Sequence, residues 1–177
     1  MLPQTQADLF PLIRAGGLFL VIVGAAILIG ALRLRWRNPL LGAGAALATA
    51  ATILTAAHLT APYGIPTRFQ IGSLVLAVLL EGVALAWAIR RFSRRGERAM
   101  TIAVLAIVGA HFLLMAPAFG PLIGLLGMLT LGNALAGARF QNYSLQTLWA
   151  MDGLLKFALG GAMFYGHLLP CLACTRA

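Results

Sequence analysis

The amino-acid sequence predicts an all-α protein, a polytopic membrane bundle of about six transmembrane helices. Hydrophobic residues make up 61% of the chain and charged residues only 10%, whereas a soluble domain carries about 25% charged residues. Six apolar runs are each long enough to cross about 30 Å of hydrocarbon as a helix. The runs are rich in Leu, Ala and Gly and lack the polar alternation of barrel strands.

The six predicted spans follow one another with short connections, so residues 1–177 form a single transmembrane domain. Arg33, Arg35 and Arg37 directly follow the first span. This is a stop-transfer pattern, which favours a retained helix over a cleaved signal peptide. The fourth and fifth spans are the shortest, and residues 116–121 join them in a tight hairpin. The spans cover about 12–33, 40–61, 69–90, 99–116, 119–138 and 144–167.

The arginines predict the orientation of these spans. The connections after the first, third and fifth spans hold nine of them, against three on the other side. Positive residues concentrate in cytoplasmic loops, so both termini are expected outside. The nine are Arg33, Arg35, Arg37, Arg90, Arg91, Arg94, Arg95, Arg98 and Arg139, and the three are Arg14, Arg68 and Arg176.

The net charge of +9 is therefore interpreted as a topology signal, and no nucleic-acid partner is expected. Trp36, Trp87 and Trp149 agree with this orientation, because all three are expected at interface depth near the arginine-rich connections. The expected location is a bacterial cytoplasmic membrane, crossed several times, with the lipid bilayer as the main partner.

The ends of the even-numbered spans resemble one another. Each carries a His followed by a Pro, within residues 56–66, 109–121 and 165–170. This pattern suggests three helical hairpins related by duplication. The second span consists almost entirely of small residues, which allow helix backbones to approach closely, so we expect it at the centre of the bundle.

Three ionisable residues interrupt the spans: Glu81, Asp152 and Lys156. Counted along their helices, they share with Asn133 one slab between the cytoplasmic third and the midplane. A charge at the bilayer centre costs at least about 2.5–3.5 kcal/mol, so this polar cluster should face the bundle interior. Asp152 and Lys156 are four residues apart and share a helix face. We predict that Lys156 pairs with Asp152, Glu81 or both.

This intramembrane cluster has two interpretations. Two carboxylates and one ammonium leave a formal charge of −1, which a proton, an ion or a water-filled cavity must compensate. The functional interpretation is a proton- or cation-coupled site. The structural interpretation is an ionic clasp that fixes the third span against the sixth.

A second set of candidate residues lies on the predicted outer side. His58, His111 and His167 could ligate a metal such as zinc or copper, or hold a haem iron. Cys171 and Cys174 form a CxxC near the end of the chain. The alternative is that these histidines bond water or backbone carbonyls at helix ends and that the cysteines are incidental.

Residues 111–120, HFLLMAPAFG, resemble a motif of small uncharacterised bacterial membrane proteins, in which a His-Phe-Leu-Pro-type segment ends one helix before the next begins. This sequence departs from the motif at Leu114, where the motif has Pro. The resemblance implies a bacterial membrane location and no particular activity.

The sequence contains no P-loop, GxSxG or HExxH signature, and an enzyme is not expected. The preferred hypothesis is a structural or accessory membrane protein of unassigned activity, held together by its ionic cluster. The first alternative is a small ion- or proton-coupled transporter, and the second is an outward-facing metal- or haem-binding protein with no other cofactor. A homo-oligomer or a membrane-complex partner is compatible with all three.

Overall fold

The computed structural model describes residues 6–166, and within that range the chain forms helices and no strand. The prediction of an all-α bundle is confirmed. Two 3-10 turns, Leu34–Trp36 and Ala61–Tyr63, flank the third helix. The helices are α1 Gln6–Leu9, α2 Ile13–Leu32, α3 Arg37–Thr60, α4 Arg68–Phe92, α5 Glu97–Phe119, α6 Pro121–Arg139 and α7 Leu145–Tyr165.

Five of these helices, α2 to α6, are long and apolar enough to cross a membrane. The chain is therefore a helical membrane protein. The sixth predicted span corresponds to α7, which has 21 residues and carries Asp152 and Lys156 near its middle. At 1.5 Å per residue α7 is about 31 Å long, enough to span a bilayer. It is not among the five apolar helices, and the count of six remains a prediction.

Local sequence signals set the helix boundaries. Thr67 and Gln70 form a capping box at the start of α4, and the Ser144 hydroxyl caps α7 by accepting from the Thr147 amide. Gly96 and Gly120 flank α5, both with φ of 92°, a left-handed conformation that favours glycine. The tight connection predicted between the fourth and fifth spans thus consists of Gly120 alone.

The six long helices form an arc in the order α3, α2, α7, α6, α5, α4, in which each packs against the next. α2 and α7 each also touch α5 across the arc, so the arc encloses an interior space. α3 packs mainly against α2, and α4 mainly against α5. The pairs α2–α3, α4–α5 and α6–α7 are packed hairpins, as the predicted repeat requires, although a duplication remains a prediction.

The expectation that the small-residue helix lies at the centre is wrong. That helix is α3, in which 11% of the residues of the apolar stretch are buried, compared with 44% in α2. The closest backbone approach is instead between α2 and α7, where Gly17 and Gly24 lie against Gly160 and Gly153. A Cβ added to Gly24 would lie 2.5 Å from a backbone nitrogen of α7, whereas one on Gly42 of α3 would meet no atom within 4 Å. Gly44 and Ala48 of α3 are buried, whereas most of its other small residues are exposed or only partly buried.

Candidate functional site

The interior of the arc contains a cavity of about 510 Å³, here called the central cavity. Every long helix contributes to its wall, and most of the lining side chains are apolar. The wall extends along α2 from Leu12 to Ile27, about 22 Å of helix rise. One end of the bundle carries Arg33, Arg35 and the other arginines of the connections, and is here called the arginine-rich end. The cavity wall reaches Leu41 near this end.

Asp152 and Lys156 project from α7 into the wall of this cavity. They are 1% and 5% exposed, and the Lys156 ammonium contacts the Asp152 carboxylate. The same ammonium lies 5.5 Å from the centre of the Phe112 ring on α5, within range of a cation–π interaction. This ion pair lies within one helix, one turn apart, so it does not by itself join two helices.

Glu81 of α4 and His111 of α5 form the second ionisable pair in the wall. His111 Nδ1 lies 3.4 Å from Glu81 Oε2 and 3.1 Å from the carbonyl oxygen of Ala77. A carbonyl oxygen only accepts, so Nδ1 carries a hydrogen and donates it to the oxygen of Ala77.

Glu81 is the most accessible of the four ionisable side chains in the wall. Its side chain is 25% exposed, compared with 9% for His111, 6% for Lys156 and 2% for Asp152. Glu81 and His111 also line a smaller cavity of about 130 Å³ between α4 and α5. The pair therefore lies between two cavities, and Glu81 is the more exposed of the two carboxylates in the wall.

The structure brings three of the four residues of the predicted polar cluster to one cavity. Lys156 contacts Asp152, while Glu81 contacts His111, a residue assigned to a different set on the basis of sequence. Asn133 does not line the central cavity. Its amide donates to the Leu148 carbonyl oxygen at 2.9 Å, and its Oδ1 accepts from the Tyr143 hydroxyl at 3.3 Å. Asn133 therefore ties α6 to α7.

The residues predicted as metal or haem ligands are separated in the part that the structure describes. His58 is exposed near the end of α3, and His111 is buried about two turns before the end of α5. His167, Cys171 and Cys174 lie outside the described residues. Within residues 6–166, no group of three His, Cys, Asp or Glu could hold a metal ion. Metal or haem binding remains a prediction.

Sequence reasoning missed Trp149 as a cavity residue. The side chain was expected at interface depth together with those of Trp36 and Trp87, which are 53% and 58% exposed. Trp149 is only 8% exposed and lines the central cavity. The available signal was spacing: positions 149, 152 and 156 follow the i, i+3, i+7 pattern of one helix face.

Two arginines that were counted only as topology signals also have structural partners. Arg37 is 8% exposed, contacts the Glu97 carboxylate at the start of α5, and lies 5.0 Å from the centre of the Trp149 ring. These contacts join α3, α5 and α7 beside Leu41, where the cavity ends. Arg98 donates to the carbonyl oxygens of Gly137, Phe140 and Tyr143 at 2.5 to 2.8 Å and holds the α6–α7 connection.

The opposite end of the cavity is closed by apolar packing. Phe119 and Ile123 line the cavity and belong to one hydrophobic cluster with the partly buried Phe10. Near the same end, the Gln70 amide donates to the carbonyl oxygen of Leu9 at 2.9 Å and ties the short α1 to α4. The central cavity is therefore bordered by polar contacts at the arginine-rich end and by apolar packing at the other, here called its two closures.

The fold and this cavity define a helical membrane protein with ionisable groups inside the bundle. The chain belongs to a family of unknown function, DUF6609, whose family model matches residues 4–167. This agrees with the resemblance to uncharacterised proteins, whereas the motif at residues 111–120 remains a prediction. No curated protein and no solved structure matches the sequence.

Proposed function

We propose that the protein is a small proton-coupled carrier whose central cavity binds a mainly apolar small molecule. The observation that carries this proposal is that both ionisable pairs, Glu81–His111 and Asp152–Lys156, line one cavity of about 510 Å³. Ligand sites of proteins typically enclose about 300–1,000 Å³ and combine apolar walls with a few polar groups. Intramembrane ionisable residues commonly mark proton or substrate pathways.

The charge of the cavity wall supports coupling to protons. With a neutral imidazole, Glu81, Asp152 and Lys156 sum to −1, and no other charged side chain lines the cavity within the described residues. An uncompensated charge in a low-dielectric interior is costly, so the cavity should hold a proton or a cation. A site that holds one or the other exchanges them, which is the basis of coupled transport.

The ionic contacts are better suited to a coupled site than to the clasp considered above. Asp152 and Lys156 belong to the same helix, and Glu81 and His111 belong to α4 and α5, which already pack closely. Neither pair fixes the third span against the sixth. Buried ion pairs are weak contributors to stability because their desolvation offsets their attraction. A structural or accessory role remains the alternative, with the exposed faces of α3 and α4 available to a partner.

We further propose that the two closures act as alternate gates in a bacterial cytoplasmic membrane, with the arginine-rich end in the cytoplasm. The Arg37–Glu97 contact and Trp149 would form the inner gate, and Phe119 with its apolar neighbours the outer one. Protonation of Glu81 would shift the balance between opening of the inner gate and opening of the outer gate. The reason is that it removes the negative charge with which a bound cation or His111 interacts.

Cysteine labelling in proteoliposomes tests this proposal without knowledge of the substrate. Single cysteines would replace the half-buried Leu12 or Leu41, at the two ends of the cavity, in a chain with Cys171 and Cys174 changed to Ala. We expect a membrane-impermeant maleimide to label the two positions in opposite proportion at mildly acidic and mildly alkaline pH. Glu81→Gln should remove this dependence on pH.

Ser93→Cys is the matched control, because Ser93 is exposed in the connection at the arginine-rich end and its labelling measures how pH alone changes the reactivity of a thiol towards the maleimide. If labelling of Leu12→Cys and Leu41→Cys, each divided by that of Ser93→Cys, does not change with pH, the result would contradict a carrier and favour an accessory protein.

A further inference from the structure

We infer that the ligand of the central cavity is a lipophilic organic monocation, which enters sideways from the bilayer between α3 and α4. The inference rests on the proposed binding role of the cavity and adds the chemical class of its ligand and the direction of entry. Three features of the cavity support it: the placement of its charges, its aromatic rings and the arrangement of its flanking helices.

The charges favour a cation. Asp152 is already paired with Lys156 inside α7, so neither group offers a full charge to a ligand. Glu81 faces the imidazole of His111, which in its neutral form leaves the charge of the carboxylate uncompensated, and Glu81 is the more accessible of the two side chains. Arg37 and Glu97 lie beyond Trp149 and neutralise each other. The charge left for a ligand is therefore the carboxylate of Glu81.

The aromatic rings in the wall favour the same sign of charge. Phe19, Phe112, Phe119 and Trp149 line the cavity, and ring faces attract cations and repel anions. Two of these rings already face cations of the protein itself, Phe112 the Lys156 ammonium at 5.5 Å and Trp149 the Arg37 guanidinium at 5.0 Å. A delocalised organic cation would have similar contacts with the remaining ring faces.

The arrangement of helices provides a route from the lipid. α3 and α4 stand at the two ends of the arc and pack mainly against α2 and α5, not against each other. Both contribute to the cavity wall, through Thr52 and Ala56 on α3 and through Val78 and Glu81 on α4. Val78 lines the cavity while 52% of its surface is exposed. Separation of α3 from α4 at this position would admit molecules that partition into lipid.

Two probes of the same shape and opposite charge test the sign of the ligand. Tetraphenylphosphonium and tetraphenylborate differ in charge while keeping four phenyl rings around one centre. We expect the detergent-purified full chain to bind the phosphonium at least about tenfold more tightly than the borate at mildly alkaline pH, measured by calorimetry. Glu81→Gln should weaken phosphonium binding by a similar factor, and Glu81→Asp, which keeps the charge, should retain most of it.

Two tryptophan variants of α4 test whether the ligand enters between α3 and α4. Val78→Trp places a bulky ring between α3 and α4 and should slow association of the phosphonium in liposomes by about tenfold. Val83→Trp is the control, because Val83 lies on the same helix, is 70% exposed and does not line the cavity. Equal association rates in the two variants would overturn lateral entry.

The outcomes separate this inference from the carrier proposal. Equal or tighter binding of the borate, absence of phosphonium binding by folded protein, or unchanged binding after Glu81→Gln would each overturn the cationic ligand. Opposite, pH-dependent labelling of Leu12→Cys and Leu41→Cys would then still support a carrier for another ligand. Conversely, phosphonium binding without that labelling change would support the cationic ligand and remove the transport cycle.

Discussion

Lys156 is 5% exposed in the middle of α7, where an ammonium requires compensation. Asp152 provides this one turn away, and the ring of Phe112 adds a weaker attraction from α5. The two charges are desolvated together, so the pair is sensitive to the loss of one member and tolerant of the loss of both.

Lys156→Met should therefore lower the free energy of unfolding by about 3–5 kcal/mol, because it leaves the Asp152 carboxylate buried without a partner. The double variant Asp152→Asn/Lys156→Met should recover most of this loss. Unfolding in mixed detergent micelles, followed by circular dichroism, measures both values. A double variant no more stable than Lys156→Met alone would contradict the cost assigned to the unpaired carboxylate.

For individual residues, the sequence predicts the contacts that form within a helix but not those that form between helices. The spacing of Asp152 and Lys156 places both on one face of α7, whatever its neighbours are. The contact between Glu81 and His111 depends on how α4 and α5 are rotated against each other, which hydropathy does not determine. For the same reason, Trp149 was expected at the interface although its helix face turns into the cavity.

Among the helices, α2 and α7 pack most closely. Gly17 and Gly24 are seven residues apart on α2, as are Gly153 and Gly160 on α7, so each pair lies on one helix face. Close backbone approach of this kind is a main source of helix association in lipid, where apolar side chains gain little by leaving the bilayer. This contact positions the α7 face that carries Trp149, Asp152 and Lys156.

Gly24→Ala should destabilise the bundle by about 1–3 kcal/mol, because the added methyl group would overlap the backbone of α7 and force the helices apart. Gly161→Ala is the matched control. Gly161 is in α7, and a Cβ there meets no atom within 4 Å, so the substitution should be neutral or slightly stabilising. Equal effects of the two substitutions on the midpoint of detergent unfolding would argue against close α2–α7 packing.

The sequence was sufficient to predict which segments form helices, but not where each helix lies in the arc. Apolar runs and their flanking arginines identify α2 to α6 because lipid requires each span to satisfy its own backbone hydrogen bonds. The glycine and alanine content of α3 indicated close packing, but the helix lies at the edge of the arc. The seven-residue glycine spacing shared by α2 and α7 was the more specific signal for which helices meet.

The molecule as a whole is an arc of helices around an interior that is apolar apart from its ionisable residues. Glu81, Asp152 and Lys156 were expected to face the interior because exposure to lipid is costly, but a cavity between them depends on the curvature of the arc and has no signature in the sequence. In the proposed function, a cation and a proton compete for the carboxylate of Glu81, and binding of one releases the other.

Calorimetry of tetraphenylphosphonium binding in buffers with different ionisation enthalpies tests this exchange most directly, because the apparent binding enthalpy then varies with the number of protons released. The account predicts proton release by the wild-type protein near the pH at which binding is half-maximal, and none by Glu81→Gln. Binding of the phosphonium by the wild-type protein without any proton release across the accessible pH range would contradict it.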